Sequence, residues 1–332
     1  MEDRIWDVII VGGGVAGLSA ALMLGRARRQ VLVVDGGSPR NRFASHMHGV
    51  LGNEGVEPAV LLERGRNEAA SYGVEFERGT VSLVEQAEPF LQVALADRAV
   101  RTARSLIVAT GLTDELADIP GLRERWGRTV LHCPYCHGWE VRDQRLGVIA
   151  TSPMGLHQAE LVRQWSSRVT LFTAGLGGIS GTAKRRLRAR GIDLVDTAVT
   201  EVLGEGAQIK AVRTENGREI ELDAIFTGGA LRPHDNFLAP LRLARAEGPM
   251  GAFVQVDAMG KTGNDRVWAA GNVVNPAANI AMAIGAGAAV GAGVNAALVA
   301  EDFDAAVAAT SAVQLPQVSA RFDVRTDHSR PA

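Results

Sequence analysis

Two cysteines separated by two residues carry the plainest chemistry in this chain. Cys133 and Cys136 stand in the string His132-Cys133-Pro134-Tyr135-Cys136-His137-Gly138-Trp139-Glu140, and the 332 residues contain no third cysteine. That spacing lets the sulfurs reach disulfide distance at the start of a helix, where the dipole favours a thiolate. Three chemistries use such a pair. Cys-x-x-Cys-His is the attachment string of c-type haem. Against haem, the acids Glu2, Asp3 and Asp7 precede the first apolar stretch, where an export signal carries positive charge. Zinc would take both cysteines and both flanking histidines. Sequence neighbours such as 132/133 and 136/137 rarely converge on one tetrahedral ion, so no metal site is expected. A redox-active disulfide is the preferred reading. His137 is its candidate base, because an imidazole titrates near neutral pH and can take a thiol proton. His132 falls on an extended segment and is read as a packing residue. His46, His157 and His234 carry no signal separable from ordinary surface use.

The elements that must position this pair begin at the N-terminus. Residues 7–11 read as a short apolar strand, followed by the turn Gly12-Gly13-Gly14-Val15-Ala16-Gly17. An Ala/Leu-rich helix runs to about residue 25, and a strand over 31–34 ends in Asp35, 23 positions after Gly12. In such a βαβ unit Gly12 makes the tight turn, Gly14 allows close backbone approach and Gly17 allows close helix packing. Free amides at the helix N-terminus then face a pyrophosphate, and Asp35 can accept hydrogen bonds from ribose hydroxyls. A polar loop over 36–57 leads to a helix near 59–72. Short strands follow within 74–94, then one over 105–108 that ends in Ala109-Thr110-Gly111.

A second unit starts near residue 146, with a strand over 146–150, a helix over 156–165 and a strand over 169–172. Further strands are expected over 193–202, 209–213 and 225–227, and later a long Gly/Ala helix. Past about residue 304 the periodicity fades, and the last dozen residues read as a loose tail. Setting Gly12 against Ala150 keeps the register without a gap: Gly14 meets Ser152, Gly17 meets Gly155 and Asp35 meets Thr173. The frame is present, yet two of three turn glycines are gone and Pro153 removes an amide donor. Residues 173–183 hold no basic residue for the 2′-phosphate of NADPH. A dismantled nicotinamide site is predicted.

Composition sets the outer bounds. With 46% hydrophobic and 22% charged residues the chain is an ordinary globular one. A net charge of −2 gives no electrostatic case for nucleic acid or anionic membrane as partner. The uncharged stretch over 267–300 is mostly Ala and Gly and is broken by Asn272, Asn275, Pro276, Asn279 and Asn295. A closely packed internal helix is expected there, not a membrane span. The class is that of a cytoplasmic α/β enzyme.

The order of glycine turn, Ala-Thr-Gly, Cys-x-x-Cys and late Ala270-Gly271-Asn272 resembles the low-molecular-weight thioredoxin reductases over about residues 5–300. The string Cys133 to Glu140 and the loop Asp35-Gly-Gly-Ser-Pro-Arg-Asn-Arg-Phe are similar to their dithiol oxidase branch, which closes disulfides in natural products of the holomycin and gliotoxin kind. The resemblance implies two Rossmann-like domains, the second inserted in the first. An FAD domain would take residues 1–117 and 244–303, the inserted domain 118–243, and a tail 304–332. It implies a homodimer, FAD as cofactor, a small-molecule dithiol and O2 as substrates, and hydrogen peroxide as product. Gly12, Gly14, Val15, Ala16, Gly17, Asp35 and Ala109 would hold the pyrophosphate and adenosine end of FAD. Arg40, Arg42 and His48 would add contacts, and Gly271, Asn272, Asn279 and Ile280 would meet the ribityl chain and flavin ring. Cys136 would face the flavin and Cys133 would exchange with substrate. Asn272 stands where flavin enzymes of this fold commonly have Asp. The runner-up is a thioredoxin reductase-like enzyme fed by ferredoxin or another donor, for which the basic run over 184–190 is a candidate docking patch. A redox-sensing flavoprotein is the non-enzymatic possibility.

Overall fold

The run Ile-Trp-Asp-Val-Ile-Ile-Val is apolar at consecutive positions after Asp7 because its strand is covered there on both faces. In the computed structural model, which describes residues 4–313 and side chains through Thr310, Trp6, Ile9 and Val11 enter one core while Val8 and Ile10 enter another. This strand, β1 (Ile5–Val11), is followed by α1 (Val15–Arg26), β2 (Val31–Asp35), α2 (Pro58–Ser71), β3 (Glu75–Arg78), β4 (Val81–Ala87), β5 (Phe90–Leu95) and β6 (Val100–Val108). They form one sheet in the order β3-β2-β1-β6-β5-β4. The chain continues through β7 (Leu112–Glu115), β8 (Val130–Leu131), the single turn α3 (Pro134–His137), β9 (Leu146–Ile149), α4 (Met154–Val162), β10 (Val169–Phe172), α5 (Gly181–Ala189) and β11 (Ile192–Val195). Next come β12 (Val199–Leu203), β13 (Ala211–Thr214), β14 (Glu219–Glu221), β15 (Ala224–Thr227) and β16 (Ala230–Pro233). The last elements are β17 (Arg245–Gly248), β18 (Gly251–Val254), β19 (Val267–Ala269) and α6 (Ile280–Val313).

The second sheet, β11-β10-β9-β15-β8, is parallel throughout. Antiparallel pairing of β7 with β16 makes the two-stranded ribbon on the paths into and out of it. After that excursion β19 returns to the first sheet and pairs in parallel with residues 106–108 of β6. The class is α/β with two doubly wound parallel cores. One expected strand divides: residues 193–202 form β11 and β12, which belong to different sheets. The chain leaves the parallel sheet after Val195 to start the antiparallel β12-β13-β14 layer, a change of partner that apolar alternation alone does not mark.

Helix α6 is long and apolar enough, by length and composition, to cross a membrane. Its first half is instead seated on α1. A Cβ on Gly287 would lie 2.1 Å from the Ala16 carbonyl oxygen, and one on Gly291 would lie 2.9 Å from that of Ala20. Ala283, Val290, Val294 and Leu298 complete the buried stripe. Gly and Ala are therefore present because the two backbones nearly touch. Farther along, Arg104 donates to Glu301 and Asp302, and Arg29 to Asp302, so charge returns where the helix passes the strand ends. The helix runs on to Val313, so the tail expected from residue 304 begins inside it, and residues 314–332 lie outside the described residues.

Candidate active site

Gly12, at φ +107°, stands where a Cβ would lie 2.4 Å from the Ala109 carbonyl oxygen, and a Cβ on Gly17 would lie 1.9 Å from the carbonyl oxygen of Gly12. Turn, helix and the end of β6 are thus packed backbone to backbone, which only glycine permits. Gly14 is the opposite case. Its φ is an ordinary −73°, and a Cβ there would meet nothing within 4 Å, because the position opens into a cavity of about 1310 Å³. The amides of Val15, Ala16 and Gly17 donate to no partner among the described residues. Asp35, at the end of β2, lines the same cavity; its carboxylate accepts from the Gly37 amide and from Arg66.

Gly271, Asn272, Asn279 and Ile280 line the same cavity, and a Cβ on Gly271 would lie 3.0 Å from that of Ala16. Asn272 donates its amide nitrogen to the carbonyls of Asn275, Pro276 and Ala278, which shapes the loop and leaves its Oδ1 to accept. Asn279 caps α6: its Oδ1 accepts the Met282 amide at 3.0 Å. The loop residues divide. Arg40 lines the cavity, but its guanidinium is committed to Asp114 through Nε and Nη2, both at 2.7 Å, and to the Pro276 carbonyl through Nη1. It ties the loop to β7 and to the Asn272 turn. Arg42 donates to Pro39 and stacks over Phe43, and it is not among the residues lining the cavity. His48 lines it while held between Glu54 (2.6 Å) and Glu140 (3.5 Å).

Cys133 and Cys136 are joined as a disulfide in the wall of this cavity. Cys133 is the N-cap of α3, and its Sγ accepts the Cys136 amide at 3.2 Å. Gly138 follows because a Cβ there would lie 2.6 Å from both the Pro134 carbonyl oxygen and the Trp165 ring. His137 also lines the cavity, and burial pushes its pKa below the ordinary imidazole value; Glu140 opposes that shift and His48 adds to it. A neutral imidazole is what a thiol's proton needs. His132, read from sequence as packing, lines the cavity beside Cys133, with burial chiefly pushing its pKa down. His46, His157 and His234 line it too. Asp114 and Gln158 were invisible to motif reading, since each acts through a partner distant in the chain, and Glu54 was missed because the fold of its loop brings it to His48, six positions away.

Two variants test the base. His137→Ala should slow the thiol half-reaction about 100-fold with the fold intact. Glu140→Gln removes the negative charge that favours the imidazolium, so the His137 pKa falls and the acid limb of the pH–rate profile moves to lower pH. A limb that stays in place or moves up would remove His137 from the proton path.

The second turn keeps the frame with fewer donors. A Cβ on Gly155 would lie 2.5 Å from that of Ala150, repeating the contact of Gly17 with Gly12. Pro153 has no amide, and the N–H groups of Gly155 and Leu156 turn back to the carbonyls of Ser152 and Pro153. Thr173 is buried, with its hydroxyl and amide on the Val195 carbonyl.

The model of the pyridine nucleotide-disulphide oxidoreductases matches residues 6–288. The chain belongs to that family. Within it, similarity is to the thioredoxin reductases: it is 32% identical to thioredoxin reductase tcpT of Claviceps purpurea, over 75% of this chain and 80% of that one. It is 27% identical to thioredoxin reductase sirT of Leptosphaeria maculans, over 88% and 94%. The crystal structure of HlmI superposes with a TM-score of 0.89 at 42% identity, covering 94% of this oxidoreductase and 98% of that chain. The family's members are FAD flavoproteins, and FAD is the cofactor of this one. The residues fit it: the space that a Gly14 side chain would fill, the unpartnered amides of α1 and the carboxylate of Asp35 make a dinucleotide cradle.

Proposed function

We propose that this oxidoreductase is an FAD-dependent dithiol oxidase that closes an intramolecular disulfide in a small natural-product dithiol: R(SH)2 + O2 → RS2 + H2O2. The observation that carries the reading is the second βαβ turn, where the counterparts of the Val15 and Gly17 amides are missing at Pro153 and bonded to Ser152 at Gly155, while the disulfide lies in the same cavity as the first turn. Gly12, Gly14, Val15, Ala16, Gly17, Asp35 and Ala109 would hold the pyrophosphate and ribose of FAD; Gly271, Asn272, Asn279 and Ile280 would hold its ribityl and ring end. Arg40 positions that end by bridging Asp114 and Pro276. Bound there, FAD supplies an acceptor for the electron pair of the reduced cysteines and a donor to oxygen.

The protein's own residues perform the thiol exchange. One substrate thiol gives its proton to His137 and attacks Sγ of Cys133; the Cys133–Cys136 bond breaks and Cys136 leaves as a thiolate. The second substrate thiolate then attacks the substrate sulfur held on Cys133. A cyclic disulfide departs, and Cys133 is left as a thiolate whose Sγ is placed to accept the Cys136 amide. A good leaving thiolate speeds that second step.

A second reading keeps a reductase supplied by ferredoxin, which fits the names of the fungal relatives and the exposed Lys184, Arg185 and Arg188 of α5. Anaerobic mixing separates the two. The yellow enzyme should be bleached by a small dithiol and not by NADPH, and air should restore the colour with formation of peroxide. Rapid bleaching by NADPH would overturn the oxidase reading.

A further inference from the structure

The loop over residues 36–57 rests at three points on residues 114–140, which carry the redox pair. Arg40 is ion-paired with Asp114 of β7, and a Cβ on Gly127 would lie 2.6 Å from that of Phe43. The third point is His48, whose Nε2 lies 3.5 Å from Oε1 of Glu140, three residues after His137. The other side of the ring is held from within the loop. Its Nδ1 lies 2.6 Å from Oε1 of Glu54, and Oε2 of the same carboxylate accepts the Gly49 amide at 2.8 Å. Buried Met47 and Val50 root this loop; the Met47 amide donates to the Val56 carbonyl, and the Met47 carbonyl accepts from Gly55. A carboxylate can only accept, which assigns a proton to Nδ1 of His48 and turns Nε2 to Glu140.

His137 thus has two neighbours with opposite effects. Burial is the main cause of its lowered pKa; Glu140 favours the imidazolium and His48 disfavours it. Of the elements packed against α3, α4 contributes His157 to the same cavity wall while its Glu160 pairs with Arg186 of α5, and Arg142 stacks on the Trp139 ring. How strongly His48 acts on Glu140 and His137 depends on where its ring is held, and Glu54 holds it. The hydrogen bonds from His48 and the Gly49 amide keep the Glu54 pKa below the ordinary carboxylate value, so the acceptor persists through neutral pH. We infer that Glu54 is a positioning residue of the redox centre: through His48 it sets the balance between Glu140 and His137, and so the readiness of His137 to take the substrate thiol's proton. Glu54 touches neither sulfur and acts one group removed. The functional part of this inference rests on the oxidase reading, in which His137 is the base.

A titration that needs no substrate tests the arrangement. In the oxidised, FAD-loaded full chain, the ring resonances of His137 should titrate at higher pH in Glu54→Ala than in the wild type, because a released His48 ring opposes the imidazolium less. His48→Gln should shift them the same way, and adding Glu54→Ala to His48→Gln should change nothing more. A midpoint that Glu54→Ala leaves in place, or an equal shift with His48 absent, would overturn the inference. The kinetic counterpart is anaerobic bleaching of the flavin by a small dithiol. The acid limb of the pH–rate profile should move to higher pH, so Glu54→Ala should bleach about threefold more slowly on the acid side and keep its plateau rate. Equal slowing at every pH would mark a damaged loop and overturn the positioning role. If the His137 midpoint moves as stated but no dithiol bleaches the wild type, the oxidase reading fails and the positioning of His137 by Glu54 stands.

Discussion

Cys136→Ser should lower dithiol-dependent oxygen uptake by about 1000-fold or more while the purified protein stays yellow. A hydroxyl is nearly isosteric with a thiol but forms no bond with the Cys133 sulfur, so the exchange has no leaving thiolate. Cys133→Ser should have the same effect on turnover. Its fold should hold especially well, because serine is a strong N-cap and can accept the Cys136 amide as the sulfur does. Flavin retention is expected because the cofactor cradle rests on β1, α1, β2 and the turn before α6, not on α3. Oxygen uptake and the visible spectrum of each variant check both halves. Undiminished turnover in either variant would remove the cysteine pair from the electron path.

The second large effect separates two glycines of one turn. Gly17→Ala would place a Cβ 1.9 Å from the Gly12 carbonyl oxygen, a backbone atom with no freedom to step aside. The expected result is a loss of about 3 kcal/mol of stability, together with loss of FAD as the turn is forced off α1. Gly14→Ala meets no atom within 4 Å and needs no unusual backbone, so apoprotein stability should stay within about 0.5 kcal/mol of wild type. Its methyl instead occupies the space opened for the cofactor, and FAD affinity should fall. Thermal melts of apoprotein and flavin titration measure the two quantities independently. Equal effects of the two substitutions on both would contradict the division of roles.

Much of this protein was legible in its sequence because the informative spacings are local. The first turn, the acid that ends β2, the cysteine pair and the altered second turn each lie within a short run of chain, where φ preference, amide supply and sulfur reach are set by neighbours. The close packing of α6 was legible as well, since Gly and Ala in place of large aliphatics signal backbone approach.

What only the tertiary structure decided joins distant segments. Arg40 pairs with Asp114 across 74 positions, so a residue that reads as a free cation becomes a positioning group. Arg42, two positions on, stacks over Phe43 and does not itself line the cavity. His48 is held by Glu54 and Glu140, and His137 owes its lowered pKa to burial that no motif encodes. Gln158 of α4 donates to the carbonyl of His132, 26 positions away, so that helix and the disulfide line one cavity. Local chemistry chooses the turns and the thiols; their surroundings come from long-range packing, where burial and charge pairing depend on which surfaces meet.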